Sequence, residues 1–155
     1  MAALQRIGIL TVTKTMPDNQ SMIFLDTNIL VYAALNQDPR KHGVAAKIVC
    51  DLLGSDSGAI SAQVVNEFTN TMFKKTTRTV DNIRALNDVF HPMLRLDMTA
   101  GLVDSAISLK QRYGLQYYDA LIVAAAQCLN CSEIYSEDMS DGALYDNVRI
   151  TNPFV

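Results

Sequence analysis

Four acidic residues fall where one element of the chain gives way to the next. Asp26 closes the apolar run Met22-Ile-Phe-Leu25, and Asp138 follows Glu133-Ile-Tyr135 directly. Glu67 lies in the first two turns of an amphipathic segment that leaves Gly58-Ala-Ile60, and Asp119 opens an almost wholly apolar one. Singly, each has an ordinary explanation: an Asp at a helix start is usually a cap, and an Asp after a strand is usually a turn former. Glu67 is harder to dismiss, because Val64, Val65 and Phe68 draw it partly toward a core. Taken together, carboxylates that converge with no Lys or Arg nearby in sequence repel one another, and a hard divalent cation is the natural remedy. Mg²⁺ takes oxygen ligands in octahedral geometry, keeps several waters and often bridges to a substrate phosphate. Two such ions about 3.5–4 Å apart can activate a water and stabilise the leaving oxygen of a phosphodiester. Spacing alone leaves the metal site and the structural readings both open.

Other chemistry-bearing residues point to blander roles. His42, near a helix start, and His91, in a Phe-His-Pro turn, read as solvated surface side chains. Cys128-Leu-Asn-Cys131 is a CxxC pair, but zinc would want a second pair and only Cys50 remains. A redox CxxC gains its low pKa at a helix N-terminus, whereas this one lies at a helix end, so core or boundary cysteines are expected. The basic runs Phe73-Lys-Lys-Thr-Thr-Arg78 and Arg40-Lys41 could touch phosphates, although a solvated helix end explains the first as well. Tyr117 and Tyr118, just before Asp119, could pack near the site or stack a base, and packing is expected, as it is for the Met and aromatic side chains of Val64–Phe73 and Ile83–Phe90.

The elements that must position these residues alternate. Met22–Leu25 reads as a buried strand, broken by Asp26-Thr-Asn28 before the apolar stretch Ile29–Leu35. Lys41–Leu53 has helical spacing and is closed by Gly54. Gly58–Ile60 is a strand, after which Ser61 can cap a helix with Val64, Val65, Phe68 and Met72 on one face. Thr79 or Asp81 caps a third helix carrying Ile83, Leu86, Val89 and Phe90, and Met93–Leu96 is a strand. A fourth helix runs from about Thr99 to Tyr113, with Leu102, Val103, Ala106, Ile107 and Leu109 inward and Gly114 as its stop. The fifth begins near Asp119 and is apolar all round through Ala126, so it is expected to be buried. Glu133–Tyr135 and Val148–Ile150 are the last strands. Strands alternating with helices imply an α/β fold with a parallel sheet, whose ligands lie beyond the carboxyl ends of the strands.

Composition narrows the class. The chain has 155 residues, one domain's worth, with 49% hydrophobic and 19% charged residues, enough to bury a core. Its net charge of −3 excludes a global positive field, though a small basic patch beside an acidic metal site survives that sum. Three cysteines are too few for a disulfide framework. No run reaches the roughly 18 apolar residues of a membrane span, and the start does not resemble a secretory signal. A cytoplasmic protein with no membrane association is the expectation, with residues 1–21 an N-terminal extension or a misassigned start.

The motifs also carry a resemblance. Met22-Ile-Phe-Leu-Asp26-Thr-Asn28-Ile-Leu-Val-Tyr32 resembles the opening motif of the PIN domain, especially its VapC toxin branch. Ile60-Ser-Ala-Gln-Val-Val-Asn-Glu67-Phe, Tyr117-Tyr-Asp119-Ala-Leu-Ile-Val-Ala-Ala, Tyr135-Ser-Glu-Asp138-Met-Ser-Asp141-Gly142 and Val148-Arg-Ile-Thr-Asn-Pro-Phe154 follow in order. The likeness spans residues 22–155 and implies a three-layer fold, a central mostly parallel sheet flanked by helices. It implies that Asp26, Glu67, Asp119 and Asp138 are catalytic and bind Mg²⁺ or Mn²⁺. It places Thr27 and Asn28 in support and adds Asp141 as a further ligand. The implied activity is metal-dependent endoribonuclease cleavage of RNA phosphodiesters by in-line attack of water, leaving 5′-phosphate and 3′-hydroxyl ends. The implied partners are the RNA substrate, a cognate antitoxin of a type II toxin–antitoxin module, and a second copy in a homodimer. The alternative is a catalytically silent PIN-like module that binds RNA or protein. A haloacid-dehalogenase-like phosphatase also places an Asp after its first strand, but wants a second Asp two residues on, where this chain has Asn28.

Overall fold

The computed structural model describes residues 21–155, so the reading of residues 1–21 as an extension falls almost wholly outside the described residues. Six strands form one sheet: β1 (Ile23–Leu25), β2 (Gly58–Ser61), β3 (Leu94–Leu96), β4 (Glu133–Tyr135), β5 (Leu144–Tyr145) and β6 (Val148–Thr151). Their order is β3-β2-β1-β4-β6-β5, with every pairing parallel except β5 with β6. Six helices connect them: α1 (Thr27–Ala34), α2 (Pro39–Ser55), α3 (Ala62–Lys75), α4 (Val80–Phe90), α5 (Ala100–Tyr113) and α6 (Tyr117–Cys128). The expected α/β fold with a mostly parallel sheet is the one observed.

The order of the strands locates a crevice. From β1 the chain builds outward to β2 and β3, then returns through α5 and α6 to lay β4 on the other side of β1. Phe24 is therefore paired with Ala59 on one side and Ile134 on the other. In open α/β sheets such a reversal opens a gap beyond the carboxyl ends of the two central strands. Asp26 leaves the end of β1 and Ser136 the end of β4, with Asp26 N–H bonded to Tyr135 O at 3.0 Å.

The sheet is buried because its strands are short apolar runs rather than alternating ones. Phe24, Leu25, Ala59, Ile60, Ile134 and Ile150 are inaccessible and share one core with the inner helix faces. On α3 that face is Gln63, Val64, Phe68 and Met72, and Phe68 meets Phe90 of α4 edge-on at 5.1 Å. Every residue of α6 from Ala120 to Ala126 is buried, as its all-round apolar sequence requires. Gly58 sits so tightly that a Cβ there would meet Met93 Sδ at 2.6 Å.

Several boundaries differ from the sequence reading. Asp26-Thr-Asn28 does end the strand, but it is no loop: Asp26 is the N-cap of α1 and the helix starts at once at Thr27. α2 starts at Pro39, because Asp38 accepts from Arg40 and Lys41 N–H, and it runs through Gly54 to stop where Asp56 turns left-handed at φ 56°. Ser61 does stand at the N-cap of α3, but its buried hydroxyl makes no cap bond and has no partner among the described residues. Thr79, not Asp81, caps α4. α6 opens at Tyr117, two residues before Asp119, and β5 has too little sequence to announce itself. Ile107, expected inward, is 52% exposed, since α5 packs along the Leu102, Ala106 and Leu109 stripe. Phe73, expected in the core, is 54% exposed at the end of α3. No described helix is long and apolar enough to cross a membrane.

Candidate active site

The end of β1 delivers Asp26 into the crevice, where it is 7% exposed. Its Oδ1 accepts the N–H of Thr27 at 2.6 Å, and its Oδ2 accepts the Ser136 hydroxyl at 2.7 Å and the Asn28 amide at 3.0 Å. The same Asn28 amide reaches Asp138 Oδ2 at 3.2 Å, and Asn28 Oδ1 accepts the N–H of Glu137 at 3.3 Å. One side chain of α1 thus ties the first carboxylate to the loop bearing the last. Ser136 also accepts the N–H groups of Asp138 and Met139, at 3.2 and 3.3 Å, which folds that loop back over the site.

Glu67 arrives from the other wall. Its Oε2 accepts the Thr27 hydroxyl at 3.0 Å and its Oε1 the Gln63 amide at 2.9 Å. Gln63 Nε2 also reaches Tyr118 O at 3.4 Å, linking α3 to the first turn of α6. The carboxylate of Asp119, third in α6, accepts no hydrogen bond and joins no ion pair among the described residues. It is therefore neither a cap nor half of a salt bridge.

Asp26, Glu67, Asp119 and Asp138 all line one cleft of about 460 Å³. Thr27, Asn28, Glu137, Tyr118 and Lys75 line it too. Asp141 is not brought into this group: it lies in the turn after β4, where its exposed carboxylate accepts the N–H of Asn152 at 2.8 Å. None of the four cleft carboxylates forms an ion pair with Lys, Arg or His among the described residues; Lys75, exposed at the end of α3, is the basic side chain that lines the cleft.

The electrostatics follow from that arrangement. Burial pushes the Asp26 carboxyl up to about 6, against the hydrogen bonds from Ser136 and Thr27, and the charges of Asp138 and Glu67 push the same way. Asp119 is raised too, first by burial and then by Asp138 and Glu67. Glu137 behaves oppositely. Lys41 pairs with it and the Tyr32 hydroxyl donates to it at 2.6 Å, so its carboxyl is held below the usual range.

These residues suit a hard cation. The donor set is all oxygen, the charges are uncompensated, and one carboxylate has no other partner. Among the described residues no three Asp, Glu, His or Cys side chains form a ready-made cage. A cation here would need waters or substrate oxygens to complete its coordination shell.

Sequence reasoning missed Ser136, Gln63, the Tyr32–Lys41–Glu137 contact and the exposure of Tyr118. Gln63 and Glu67 at i, i+4 on one helix were a readable pair; the others depend on residues far away in the chain. Tyr118, expected to pack, is 64% exposed beside Asp119. His42 is half-buried, its Nδ1 at 2.8 Å from Tyr32 O, while His91 is exposed. Cys128 is exposed and Cys131 buried, with no disulfide between them, and burial pushes the Cys131 thiol up to about 12.

The model of the family described as PIN domain matches residues 23–140. No curated protein matches the chain. Among solved structures, a toxin–antitoxin complex from Klebsiella pneumoniae contains a chain superposing with TM-score 0.62 at 20% identity, over 86% of this chain and 98% of that one. VapC20 from Mycobacterium tuberculosis, described as a Sarcin-Ricin loop cleaving toxin, gives 0.58 at 19% identity, over 75% and 89%. VapBC2 from Rickettsia felis, bound to a DNA fragment from its promoter, gives 0.58 at 19%, over 84% and 98%. At these identities the likeness is one of fold.

Proposed function

The chain belongs to the PIN domain family, and on that premise we propose that it is a divalent-metal-dependent endoribonuclease, the toxin of a type II toxin–antitoxin pair. The observation that carries the reading is the gathering of Asp26, Glu67, Asp119 and Asp138, from four separate parts of the chain, into one cleft without basic partners. A silent binding module has no use for carboxylates held at mutual cost. The toxin assignment is supported by the solved toxin–antitoxin relatives of the same fold, and an antitoxin that covers the acidic cleft would be the inhibitor. A homodimer is part of the same proposal.

Asp26, Glu67, Asp119 and Asp138 would hold Mg²⁺ or Mn²⁺. The cation, when bound, supplies positive charge that lowers the pKa of a water and offsets charge on the phosphate oxygens. Ser136, Thr27 and Asn28 hold Asp26 in one orientation, so that little reorganisation is needed during reaction. Thr27 and Gln63 do the same for Glu67. Asp119, whose carboxylate has no hydrogen-bond or ion-pair partner among the described residues, has oxygens available to the cation or to a water beside it. Lys75 is placed to attract the RNA backbone.

The test is cleavage of a mixed RNA pool by purified protein freed of any antitoxin, with Mg²⁺, Mn²⁺ or EDTA. Cutting that EDTA abolishes and that falls about 100-fold or more in Asp26→Asn and Asp119→Asn is the expected result. No cutting together with no calorimetric metal binding establishes the silent module instead.

A further inference from the structure

We propose that Tyr118 is a stacking platform for an unpaired base of the RNA strand whose phosphodiester lies over the carboxylates. The inference rests on the ribonuclease reading and adds which part of the RNA the cleft grips.

The backbone at Tyr118 is fixed while its ring is open. Its carbonyl accepts from Gln63, and α6, in whose first turn it lies, is buried from Ala120 to Ala126, which anchors that turn. The ring meets Tyr117 edge-on at 5.5 Å, and half-buried Tyr117 packs against the core. The Tyr118 side chain nevertheless stays 64% exposed, and its hydroxyl makes no hydrogen bond among the described residues. A large aromatic face is thus held out to solvent at the residue next to Asp119, lining the same cleft.

Charge explains why a base is the fitting occupant. With Asp26, Glu67, Asp119, Glu137 and Asp138 lining the cleft and Lys75 as its basic side chain, a polyanion gains little from the electrostatics. Stacking requires no charge and accepts any base, since every base has a π face. Base-paired RNA hides those faces inside its helix, whereas loops and single strands can splay a base onto an aromatic ring. The proximity to Asp119 favours a nucleotide over a protein side chain, because on the ribonuclease reading the phosphodiester lies over the carboxylates and its attached base comes within reach of the residue next to Asp119.

The chain contains no tryptophan, so Tyr118→Trp carries a single indole reporter. It is titrated, in Ca²⁺, with an oligoriboadenylate, with an abasic oligomer of equal length and with a duplex of equal length. Phe73→Trp serves as the control, at an exposed position that does not line the cleft. The expected result is quenching of the indole at position 118 by the oligoriboadenylate alone, and no quenching at position 73. By anisotropy, Tyr118→Ala binds a labelled oligoriboadenylate about 5- to 150-fold more weakly, while Tyr118→Phe binds like the wild type. In cleavage, Tyr118→Ala raises KM and spares kcat. Equal quenching by the abasic oligomer, a Tyr118→Phe loss as large as that of Tyr118→Ala, or wild-type binding by Tyr118→Ala overturns the platform. If the wild type still cuts RNA in those cases, the nuclease reading stands without it; if the wild type neither binds nor cuts RNA, both fall.

Discussion

Ser136 Oγ donates to Asp26 Oδ2 at 2.7 Å, although 110 residues separate the two positions. Each lies just past the end of a central strand, and β1 pairs directly with β4. The hydrogen bond therefore closes the gap that the strand order opens. Ser136 also gathers two backbone N–H groups, so a single buried hydroxyl orients the first carboxylate and shapes the loop of the last.

Removing that hydroxyl has a defined consequence. Ser136→Ala leaves one acceptor of Asp26 and two loop N–H groups short of a partner, at an expected cost of about 1–3 kcal/mol in chemical denaturation. Because the Ser136 bond lowers the Asp26 pKa, its loss moves that carboxyl further up. Ser136→Thr keeps the hydroxyl and is expected to restore both properties. A Ser136→Ala protein with unchanged midpoint and unchanged Asp26 titration by NMR would show that the bond contributes nothing.

The raised Asp26 carboxyl sets a pH dependence in metal-free protein. Folded Asp26 keeps its proton up to about pH 6, whereas the ordinary aspartate value is 3.8. Between those values the folded state binds more protons than the unfolded one, so this group's contribution to stability falls as pH rises through the interval. Integrated, the effect is on the order of 3 kcal/mol. Asp26→Asn is thus expected to be more stable than the wild type in EDTA at neutral pH and to match it in acid. Denaturation curves that coincide at neutral pH would contradict the assignment.

Cation binding is expected to reverse that penalty. Mg²⁺ at 100 times its Kd stabilises a folded state by about 2.7 kcal/mol, so the wild-type melting temperature rises with Mg²⁺ and drops again in EDTA. Asp26→Asn and Asp119→Asn are expected to lose most of this response. Asp141→Asn, whose carboxylate is engaged outside the cleft, keeps it. Loss of the response in Asp141→Asn would return that residue to the ligand set.

Packing beneath the sheet predicts a site-independent effect. A Cβ at Gly58 would lie 3.1 Å from Leu52 Cβ and 2.6 Å from Met93 Sδ. Gly58→Ala is expected to lose about 1–3 kcal/mol of stability, as overpacked cores do, while the folded protein keeps its cleavage rate. Met93→Ala alone is expected to cost about 2–5 kcal/mol, and on that background Gly58→Ala is expected to cost less than it does in the wild type. A Gly58→Ala protein as stable as the wild type would show that Met93 moves aside freely.

The two cysteines of the CxxC differ enough to be told apart by a thiol reagent. In a Cys50→Ser background, Cys128 is expected to react at once and Cys131 only on unfolding, because Cys131 is buried and its thiol pKa is pushed up to about 12. Two fast thiols in the native protein would argue for a reactive pair.

Much of this was legible in the sequence because it is local. Apolar runs such as Met22–Leu25 and Ala120–Ala126 can only be satisfied by burial, and Thr79 and Thr99 mark helix starts through bonds to N–H groups three residues on. Asp26, Asp119 and Asp138 stand near the ends of elements and Glu67 in the second turn of α3, and each lies beside such a pattern. The same reasoning overreached at Ile107 and Phe73, since a helix's periodicity says which residues share a face but not how much of that face a neighbour covers. Asp141, which the resemblance adds to the ligand set, accepts the N–H of Asn152 and does not line the cleft, so the Asp141→Asn thermal response decides its role.

What the sequence determined, then, is the set of elements and the carboxylates at their ends, because both follow from propensity and hydrophobic period. The tertiary structure decided the partnerships: Ser136 on Asp26, Thr27 on Glu67, Lys41 on Glu137, and an open Tyr118 beside an unpartnered Asp119. Those on the Asp138 side depend on the strand order reversing at β1, which lays β4 beside it and brings Ser136 to Asp26 and Glu137 to Lys41 across 110 and 96 residues. Thr27, by contrast, reaches Glu67 across 40 residues because β2, which leads into α3, flanks β1 on its other side. Hydrogen bonds act over about 3 Å and carry no trace in the spacing of residues along the chain, so only the folded arrangement could reveal them.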